Sequence, residues 1–361
     1  MIKQHTQEWL DAKLNTIGGS EIWSLVWHYK KEELRKIEEQ HNINILSEKP
    51  FKSPMELFIK IKHNLQDDSF SSVNREFGLA MEPYITSRLN TIELRDCVSA
   101  VQSEDFIQNK EIHSLASCSP DGYVNFVSPM EYLIDDKGLK VSSDWGVGVL
   151  ELKTTRYFDS LTAEQGARYQ YIFQIQYQMM VLGLKWGILA TINPKQADLD
   201  NEFQKGKSVQ AMEVLLIDYL NEIYDCNYYV YSAIPAIQRM IKESLVAFQE
   251  DLDNDNYASL IYGEDPMLIK KDRKALSLAF PDRYGTLQLD LNKEEDKAIN
   301  DLINQRMYAN IEENKIKAEK DHIYNQLLEQ TRKYNRVIGS DYEFSYVSTK
   351  KCSYLKFKEI K

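Results

Sequence analysis

The chain has 361 residues, of which 43% are hydrophobic, and its formal net charge is −11. This length allows two or three units or one large α/β domain with additions, and the apolar content excludes a globally disordered chain. The acidic balance argues against a protein coated with basic residues for nucleic-acid binding, although a basic groove can exist in an acidic protein.

The cysteine and histidine patterns exclude several other classes. The 4 cysteines lie far apart without a CxxC pair, and the 6 histidines form no HxH or HExxH pair. This usage is typical of reduced thiols in a cytoplasm and argues against a zinc ribbon. No apolar run approaches the roughly 20 residues that span a bilayer. The polar N-terminal stretch does not resemble a signal peptide. We therefore expect a cytoplasmic protein without a membrane partner.

The first quarter of the sequence is predicted to be helical. The expected helices cover residues 7–14, 30–40 and 72–92, with two more beginning at an N-cap at Ser20 and at the Ser53-Pro54 pair. Pro83 is expected to mark a bend or a helix start inside the last of them.

The next part of the sequence is rich in predicted strands. The segments CVSAVQSEDFI, HSLASCSPDGYVNFV, MEYLIDD and WGVGVLELKTT are bounded by Gly, Pro, Asn and Asp, which is typical of strands and turns. Asp121-Gly122 indicates a tight turn. A helix is predicted over residues 168–184, followed by two buried strands, WGILATINP and MEVLLID.

The C-terminal part is predicted to be mainly helical. We expect a long helix over residues 225–253 with Pro235 inside it, and a charged helix or helical hairpin over residues 292–336. Alternating residues after it predict one or two final strands. We therefore divide the chain into a domain over residues 1–290 and a helical extension over residues 291–361 that ends in a β-segment.

The strand ending in Glu151, Leu152 and Lys153 carries a carboxylate and an ammonium at alternate positions, which places both on one face. Asp121 begins another predicted strand, and antiparallel pairing would place it beside Glu151. Two adjacent carboxylates repel each other, and a divalent cation such as Mg²⁺ would compensate through oxygen ligands, including the Leu152 carbonyl. Lys153 would position or deprotonate a water, or offset charge in the transition state. Phosphodiester hydrolysis requires this combination.

The ordered pattern Asp121…Glu151-Leu152-Lys153 resembles the PD-(D/E)XK nuclease core. More closely, the chain is similar to the lambda-exonuclease (YqaJ-like) family of viral recombinases. The blocks that carry the resemblance, in the family's order, are WLDAKLNTIGGSEI, GLAMEPYI, SPDGYV, GVLELKTT and YQYIFQIQYQMMVLG, followed by the strand WGILATI. The resemblance covers about residues 8–218. It implies an α/β fold with a PD-(D/E)XK restriction-endonuclease-like core, in which a central mixed β-sheet is flanked by helices, and an N-terminal helical segment that binds DNA ends.

Matching the family residue by residue implies a catalytic set of Glu82, Asp121, Glu151, Lys153 and Gln174. Asp121, Glu151 and the Leu152 carbonyl would bind two Mg²⁺ ions, for which Mn²⁺ would substitute. Glu82 would contact a metal-bound water. Gln174 would orient Lys153 or the attacking water.

The resemblance also implies a set of phosphate-binding residues. Ser20 occupies the family's serine position at the start of the second helix. Lys13 stands where the family usually has an arginine that binds the 5′-terminal phosphate. Because lysine lacks the bidentate fork of arginine, a requirement for a 5′ phosphate is left open. Arg156 and Arg168 flank the site and would hold other phosphates.

These residues also have ordinary structural interpretations. Glu82 would equally suit a helix surface, Ser20 would serve only as an N-cap, and the arginines would be surface residues. Of Gln174, Gln176 and Gln178, which alternate around one helix, at most two can face a site.

The resemblance implies a metal-dependent 5′→3′ exonuclease that degrades one strand of linear duplex DNA and leaves a 3′ single strand for annealing recombination. Its expected partners are DNA ends, a single-strand annealing protein and further copies of the chain in a trimeric ring, in the host cytoplasm of a phage or mobile element. Two alternatives stay open: a structure- or sequence-specific DNA endonuclease on the same core, and a non-catalytic DNA-binding protein.

Overall fold

The computed structural model describes the chain over residues 2–4, 6–65, 72–94, 96–127, 133–134, 140–154, 167–192, 226–260, 266–280, 292–330, 336–338, 342–348 and 353–359. The chain divides into two compact units, Met1–Asp282 and Arg283–Lys361. The domain boundary expected between residues 290 and 291 falls within residues 281–291, which lie outside the described residues.

The first part of the chain is helical, as the sequence predicts. Its helices are α1 (Gln7–Leu14), α2 (Ile22–Tyr29), α3 (Lys31–His41), α4 (Pro54–His63) and α5 (Ser72–Arg88). Ser53 and Glu56 form a reciprocal capping box at the start of α4: the Ser53 hydroxyl accepts a hydrogen bond from Glu56 N at 3.2 Å, and the Glu56 carboxylate accepts one from Ser53 N at 2.7 Å. Pro54 follows at the first helical position, where its missing N–H costs nothing.

Ser20 is not the N-cap that the sequence predicts. It lies inside a 3₁₀ turn, Gly19–Glu21, that runs directly into α2. The Glu21 carboxylate accepts a hydrogen bond from Gly18 N at 3.1 Å and so satisfies the donor at the start of the turn. Glu21 therefore provides the capping interaction that was expected from Ser20, and Ser20 is exposed.

Pro83 does not start a helix either. It lies inside α5, which continues as a π-helical turn over Leu89–Glu93.

The first unit has a mixed central sheet and two smaller sheets. Its described strands are β1 (Ile2–Lys3), β2 (Val98–Gln102), β3 (Asp105–Gln108), β4 (Ser117–Cys118), β5 (Gly122–Phe126), β6 (Leu133–Ile134), β7 (Lys140–Val141), β8 (Gly148–Thr154), β9 (Trp186–Ile192) and β10 (Cys226–Ser232). The central sheet has the order β10-β9-β8-β5-β2. Its β8–β9 pair is parallel and its other pairs are antiparallel. Smaller sheets join β1-β3-β4 and β6-β7.

The long helix predicted over residues 225–253 is wrong in its first part. Cys226–Ser232 is strand β10, paired antiparallel with β9, and the helix α7 (Pro235–Asp253) begins only at Pro235. Three tyrosines and a valine favour the strand, and a proline at the first helical position favours the later start. The strand predicted in MEVLLID falls outside the described residues.

Helices cover both faces of the central sheet. On one face α5 contributes Met81 and Ile85 to a core with Leu150 and Leu152 of β8. On the other face α6 (Tyr169–Leu182) packs Ile175 and Met179 against the sheet. The opposite side of α6 meets a third core, formed largely by α2, α4, α7 and α8 (Pro266–Ala279). Because α6 is enclosed on two sides, its polar residues must find partners inside the protein.

Over its described residues, the second unit contains one long helix and a small antiparallel sheet. The helix α9 (Glu294–Gln330) carries the charged stretch as a single helix rather than a hairpin. The strands β11 (Arg336–Ile338), β12 (Tyr342–Ser348) and β13 (Ser353–Glu359) pair in that order. Over the described residues, no helix, α9 included, is both long and apolar enough to cross a membrane.

Glycine is required at position 122 by the close approach of a neighbouring strand rather than by a turn. It begins β5, and the described glycines with positive φ are Gly146 and Gly183. A Cβ added at Gly122 would lie 2.3 Å from the carbonyl oxygen of Val101 on β2. The absence of a side chain therefore lets β2 approach the strand that begins next to Asp121.

We expect Gly122→Ala to lower the free energy of unfolding by about 1–3 kcal/mol, because the added methyl group must push the two strands apart. Urea denaturation measures this change. The control is Gly78→Ala in α5, where an added Cβ meets nothing within 4 Å and alanine favours the helix. Equal stabilities of the two variants would contradict the crowding at Gly122.

Candidate active site

Strands β5 and β8 bring two acids and an amine together. Gly122 pairs with Leu150 and Tyr123 with Val149, so the same register places Asp121 across from Glu151. The Asp121 Oδ2 atom accepts a hydrogen bond from Leu152 N at 2.7 Å, which fixes Asp121 against β8. Since strand residues alternate, Glu151 and Lys153 share the face of β8 that looks toward α6.

Glu151 is the most enclosed acid of the group, with a relative exposure of 1%. Its Oε1 atom accepts hydrogen bonds from Lys153 Nζ and from Gln174 Nε2. Its Oε2 atom accepts one from Gln178 Nε2 at 2.5 Å. A buried carboxylate requires such partners, because an unpaired charge inside a protein is very costly.

The charges of the group act strongly on one another. Burial raises the pKa of Glu82 to about 7; Lys153 lowers it and the negative charge of Glu151 raises it further. Burial and Glu151 together hold the pKa of Asp121 well above its usual range, against the opposing effect of Lys153. Burial alone would lower the pKa of Lys153, but Glu151 and Asp121 outweigh it and raise that pKa. The group thus combines repelling acids with an amine that stays protonated.

The donors of this group fit a hard divalent cation. Among the described residues, no three His, Cys, Asp or Glu side chains form a complete metal cage. Mg²⁺, however, is typically held by one or two carboxylates and keeps several waters. Burial and, after it, the negative charge of Glu151 raise the pKa of Asp121, and a bound cation would favour its ionised form. Asp121 and Glu151, with the Leu152 carbonyl, are the oxygen donors that would hold it.

The turn before α2 packs directly on this group. A Cβ at Gly19 would lie 3.1 Å from Gln174 Cγ, so the turn touches the glutamine that holds Glu151. The turn is fixed by Lys60 of α4, whose Nζ donates to Glu21 Oε2 at 2.7 Å and to the Thr16 carbonyl at 2.8 Å. Lys52 Nζ donates to the other Glu21 oxygen at 3.1 Å. Ser20 follows Gly19 in this turn and is exposed.

The structure describes two of the three cations that are expected to bind phosphate, Lys13 and Arg168. Lys13 Nζ lies 4.6 Å from the centre of the Trp9 ring, and Trp9 Nε1 donates to Ser119 Oγ at 3.4 Å, two residues before Asp121. Arg168 immediately precedes α6, and its guanidinium carbon lies 6.0 Å from the Tyr171 ring. Lys153 Nζ lies 5.6 Å from the same ring. Arg156 lies outside the described residues.

A comparison of the sequence with known families assigns part of this chain to one of them. A family model described as "YqaJ-like viral recombinase domain" matches residues 8–185. This range contains all the residues of the site described above, from Lys13 to Gln178. This part of the chain is a YqaJ-like viral recombinase domain.

The chain is also similar to solved structures. The alkaline exonuclease LHK-Exo from Laribacter hongkongensis is 18% identical, with a TM-score of 0.41 over 76% of this chain and 100% of the other. LHK-Exo in complex with dAMP is 17% identical, with the same TM-score and the same coverage of both chains. No curated protein matches the sequence.

Gln178 is a residue of the YqaJ-like domain that the sequence names as one of three candidate glutamines but does not assign to the site. It lies one helical turn after Gln174, and this i, i+4 spacing is the signal that both amides face Glu151. Gln176 points elsewhere: it donates to the Ser232 carbonyl at 2.7 Å and accepts from Ile234 N at 2.8 Å. The Oε1 atom of Gln178 is buried and has no hydrogen-bond partner among the described residues.

The buried pair beneath the YqaJ-like domain's first turn predicts a pH effect. Burial alone would raise the pKa of Glu21, but Lys60 and Lys52 lower it from 4.5 to about 2. The unfolded chain therefore binds the proton more tightly than the folded one. The stabilisation is fully present above pH 4.5 and is lost as the pH falls from 4.5 to about 2.

We expect Glu21→Gln to be less stable than the wild type above pH 4.5, and the difference to shrink by about 1–3 kcal/mol as the pH falls toward 2. Urea denaturation at a series of pH values measures it. The control is Glu32→Gln, which removes an exposed carboxylate paired with Arg35 and should change little at any pH. If the stability difference between Glu21→Gln and the wild type does not vary with pH, Lys60 and Lys52 do not lower the pKa of Glu21.

Proposed function

We propose that this chain is a metal-dependent deoxyribonuclease that digests one strand of linear duplex DNA from 5′ to 3′. It would leave a 3′ single strand for annealing recombination. The observation that supports the proposal is the convergence of Asp121, Glu151 and Lys153 in a YqaJ-like viral recombinase domain. Two carboxylates beside an ammonium are the groups that metal-assisted phosphodiester hydrolysis uses.

The residues of the site would have separate roles in metal binding and in orienting the carboxylates. Asp121, Glu151 and the Leu152 carbonyl would hold two Mg²⁺ ions, or Mn²⁺ in their place. When bound, Mg²⁺ supplies a Lewis acid that polarises the scissile phosphodiester. Gln174 and Gln178 hold the Glu151 carboxylate in one orientation.

Lys153 would act as a cation rather than as a base. The nearby acids raise its pKa, so the ammonium keeps its proton at neutral pH. An ammonium at this position can donate a hydrogen bond to the attacking water and stabilise the charge that develops on the phosphate. Glu82, which is partly exposed on α5, would contact a water of the metal.

The DNA end would approach from the side of the first helices. Ser20 is exposed on the turn that touches Gln174, where a phosphate next to the acids could reach its hydroxyl. Lys13 and Arg168 would bind flanking phosphates, and Arg156 is proposed for the same role from its position in the sequence. Lysine at position 13 forms a point charge, so discrimination for a 5′ phosphate should be modest.

The wider setting of the activity rests on the family alone. We propose a trimeric ring around DNA, a single-strand annealing protein as partner, and action in the host cytoplasm of a phage or mobile element.

The proposed function predicts a specific pattern of DNA digestion. Linear duplexes labelled at either end, with and without a 5′ phosphate, should be tested. At each duplex end, the strand whose 5′ terminus lies there should shorten, and only when Mg²⁺ or Mn²⁺ is present. Closed circular duplex should stay intact. Nicking or cutting of the circle would indicate the endonuclease alternative, and tight binding without any digestion would indicate a non-catalytic DNA-binding protein.

Lys153→Ala should reduce the rate of digestion by about 10²–10³-fold, because a charge-stabilising donor is lost. Rates on linear duplex at saturating Mg²⁺ measure this effect. The control is Lys185→Ala, which removes an exposed lysine ahead of β9. Undiminished digestion by Lys153→Ala would refute the assigned role.

Gln178→Met should weaken Mn²⁺ binding by about 10–100-fold, because the Glu151 carboxylate loses a donor that orients it. Calorimetric titration measures the affinity without any turnover. The matched control is Gln176→Met, which makes the same change on the same helix but breaks contacts to Ser232 and Ile234 instead. Equal Mn²⁺ affinities in the two variants would remove Gln178 from the site.

A further inference from the structure

The loop between α3 and α4 presents an aromatic ring to solvent near the site. Phe51 is 52% exposed, although it follows the buried Pro50. A single exposed apolar residue usually needs no explanation. Phe51 differs because its loop is held at two points while its ring remains accessible.

The first attachment of the loop is Glu48. Its carboxylate accepts hydrogen bonds from Tyr169 N at 2.8 Å and from Gln170 N at 3.0 Å, at the start of α6. The second attachment is Lys271 of α8, whose Nζ donates to the Phe51 carbonyl. These contacts fix the position of the Phe51 ring relative to α6, the helix that holds Glu151.

A line of aromatic and cationic groups connects Phe51 with the acids. The guanidinium carbon of Arg168 lies 5.9 Å from the Phe51 ring and 6.0 Å from the Tyr171 ring. The Tyr171 ring in turn lies 5.6 Å from Lys153 Nζ. Each step is short, so Phe51 lies within a few nucleotides of a phosphate at the site.

We propose that Phe51 is a stacking platform for a nucleobase of the DNA strand engaged at Asp121 and Glu151. This inference rests on the proposed function. The ring offers an apolar face to a base, and Arg168 beside it offers a guanidinium to the adjoining phosphate. Stacking on an aromatic ring tolerates any base sequence, as a nuclease that digests from ends requires. A base that leaves the terminal pair would stack on Phe51 while its phosphate moves toward Lys153.

The test uses duplexes that carry one 2-aminopurine at successive positions from the 5′ end, without divalent metal, so that no strand is digested. Wild-type protein should quench the fluorescence at one position near the end, because stacking quenches this base. Phe51→Ala should abolish that quenching and weaken binding by roughly 5- to 100-fold. Phe51→Trp should retain both, since it keeps an aromatic face.

The control is Ile92→Ala, which shortens another exposed apolar side chain of the same unit and should leave quenching and affinity unchanged. Thermal unfolding of each variant checks its fold. If wild-type protein binds and digests DNA but Phe51→Ala keeps the quenching and the affinity, the platform is refuted and the nuclease stands. If wild-type protein neither binds nor digests DNA, the proposed function fails and the platform fails with it.

Discussion

The enclosure of the Glu151 carboxylate is the constraint on which the rest of the site depends. A charge with 1% exposure persists only if donors reach both of its oxygens, and these come from β8 itself and from α6. The helix must therefore lie close to the sheet, and it does so through the apolar contacts of Ile175 and Met179. The hydrogen bonding of Glu151 thus depends on the apolar packing of α6 against the sheet.

The first helices of the chain serve the same arrangement from the outside. The buried pair of Glu21 and Lys60 connects the turn before α2 to α4. The same turn packs against Gln174. Ser117 and Tyr177 reinforce this connection, since both donate hydrogen bonds to the Ile17 carbonyl, at 3.2 and 2.8 Å. The turn before α2 is consequently joined by direct contacts to α6, the helix that holds Glu151.

Much of this could be predicted from the sequence, because the decisive signals are local. The two-residue period of β8 places Glu151 and Lys153 on one face, and the ordered blocks around Asp121 and Gln174 identify the family. The features that were missed or left unassigned depend on distant partners. Strand β10 forms because β9 offers it an edge, Gly122 is required by the Val101 carbonyl, and Gln178 matters only because Glu151 lies opposite it.

The carboxylate of Glu48 at the start of α6 has an electrostatic consequence. The N-terminus of a helix carries a partial positive charge that commonly attracts phosphate. Here an anion of the chain itself already accepts hydrogen bonds from Tyr169 N and Gln170 N, so the dipole of α6 is neutralised internally. Attraction of a polyanion to this end of α6 must then come from discrete side-chain cations such as Arg168, which would contribute to the dependence of affinity on ionic strength.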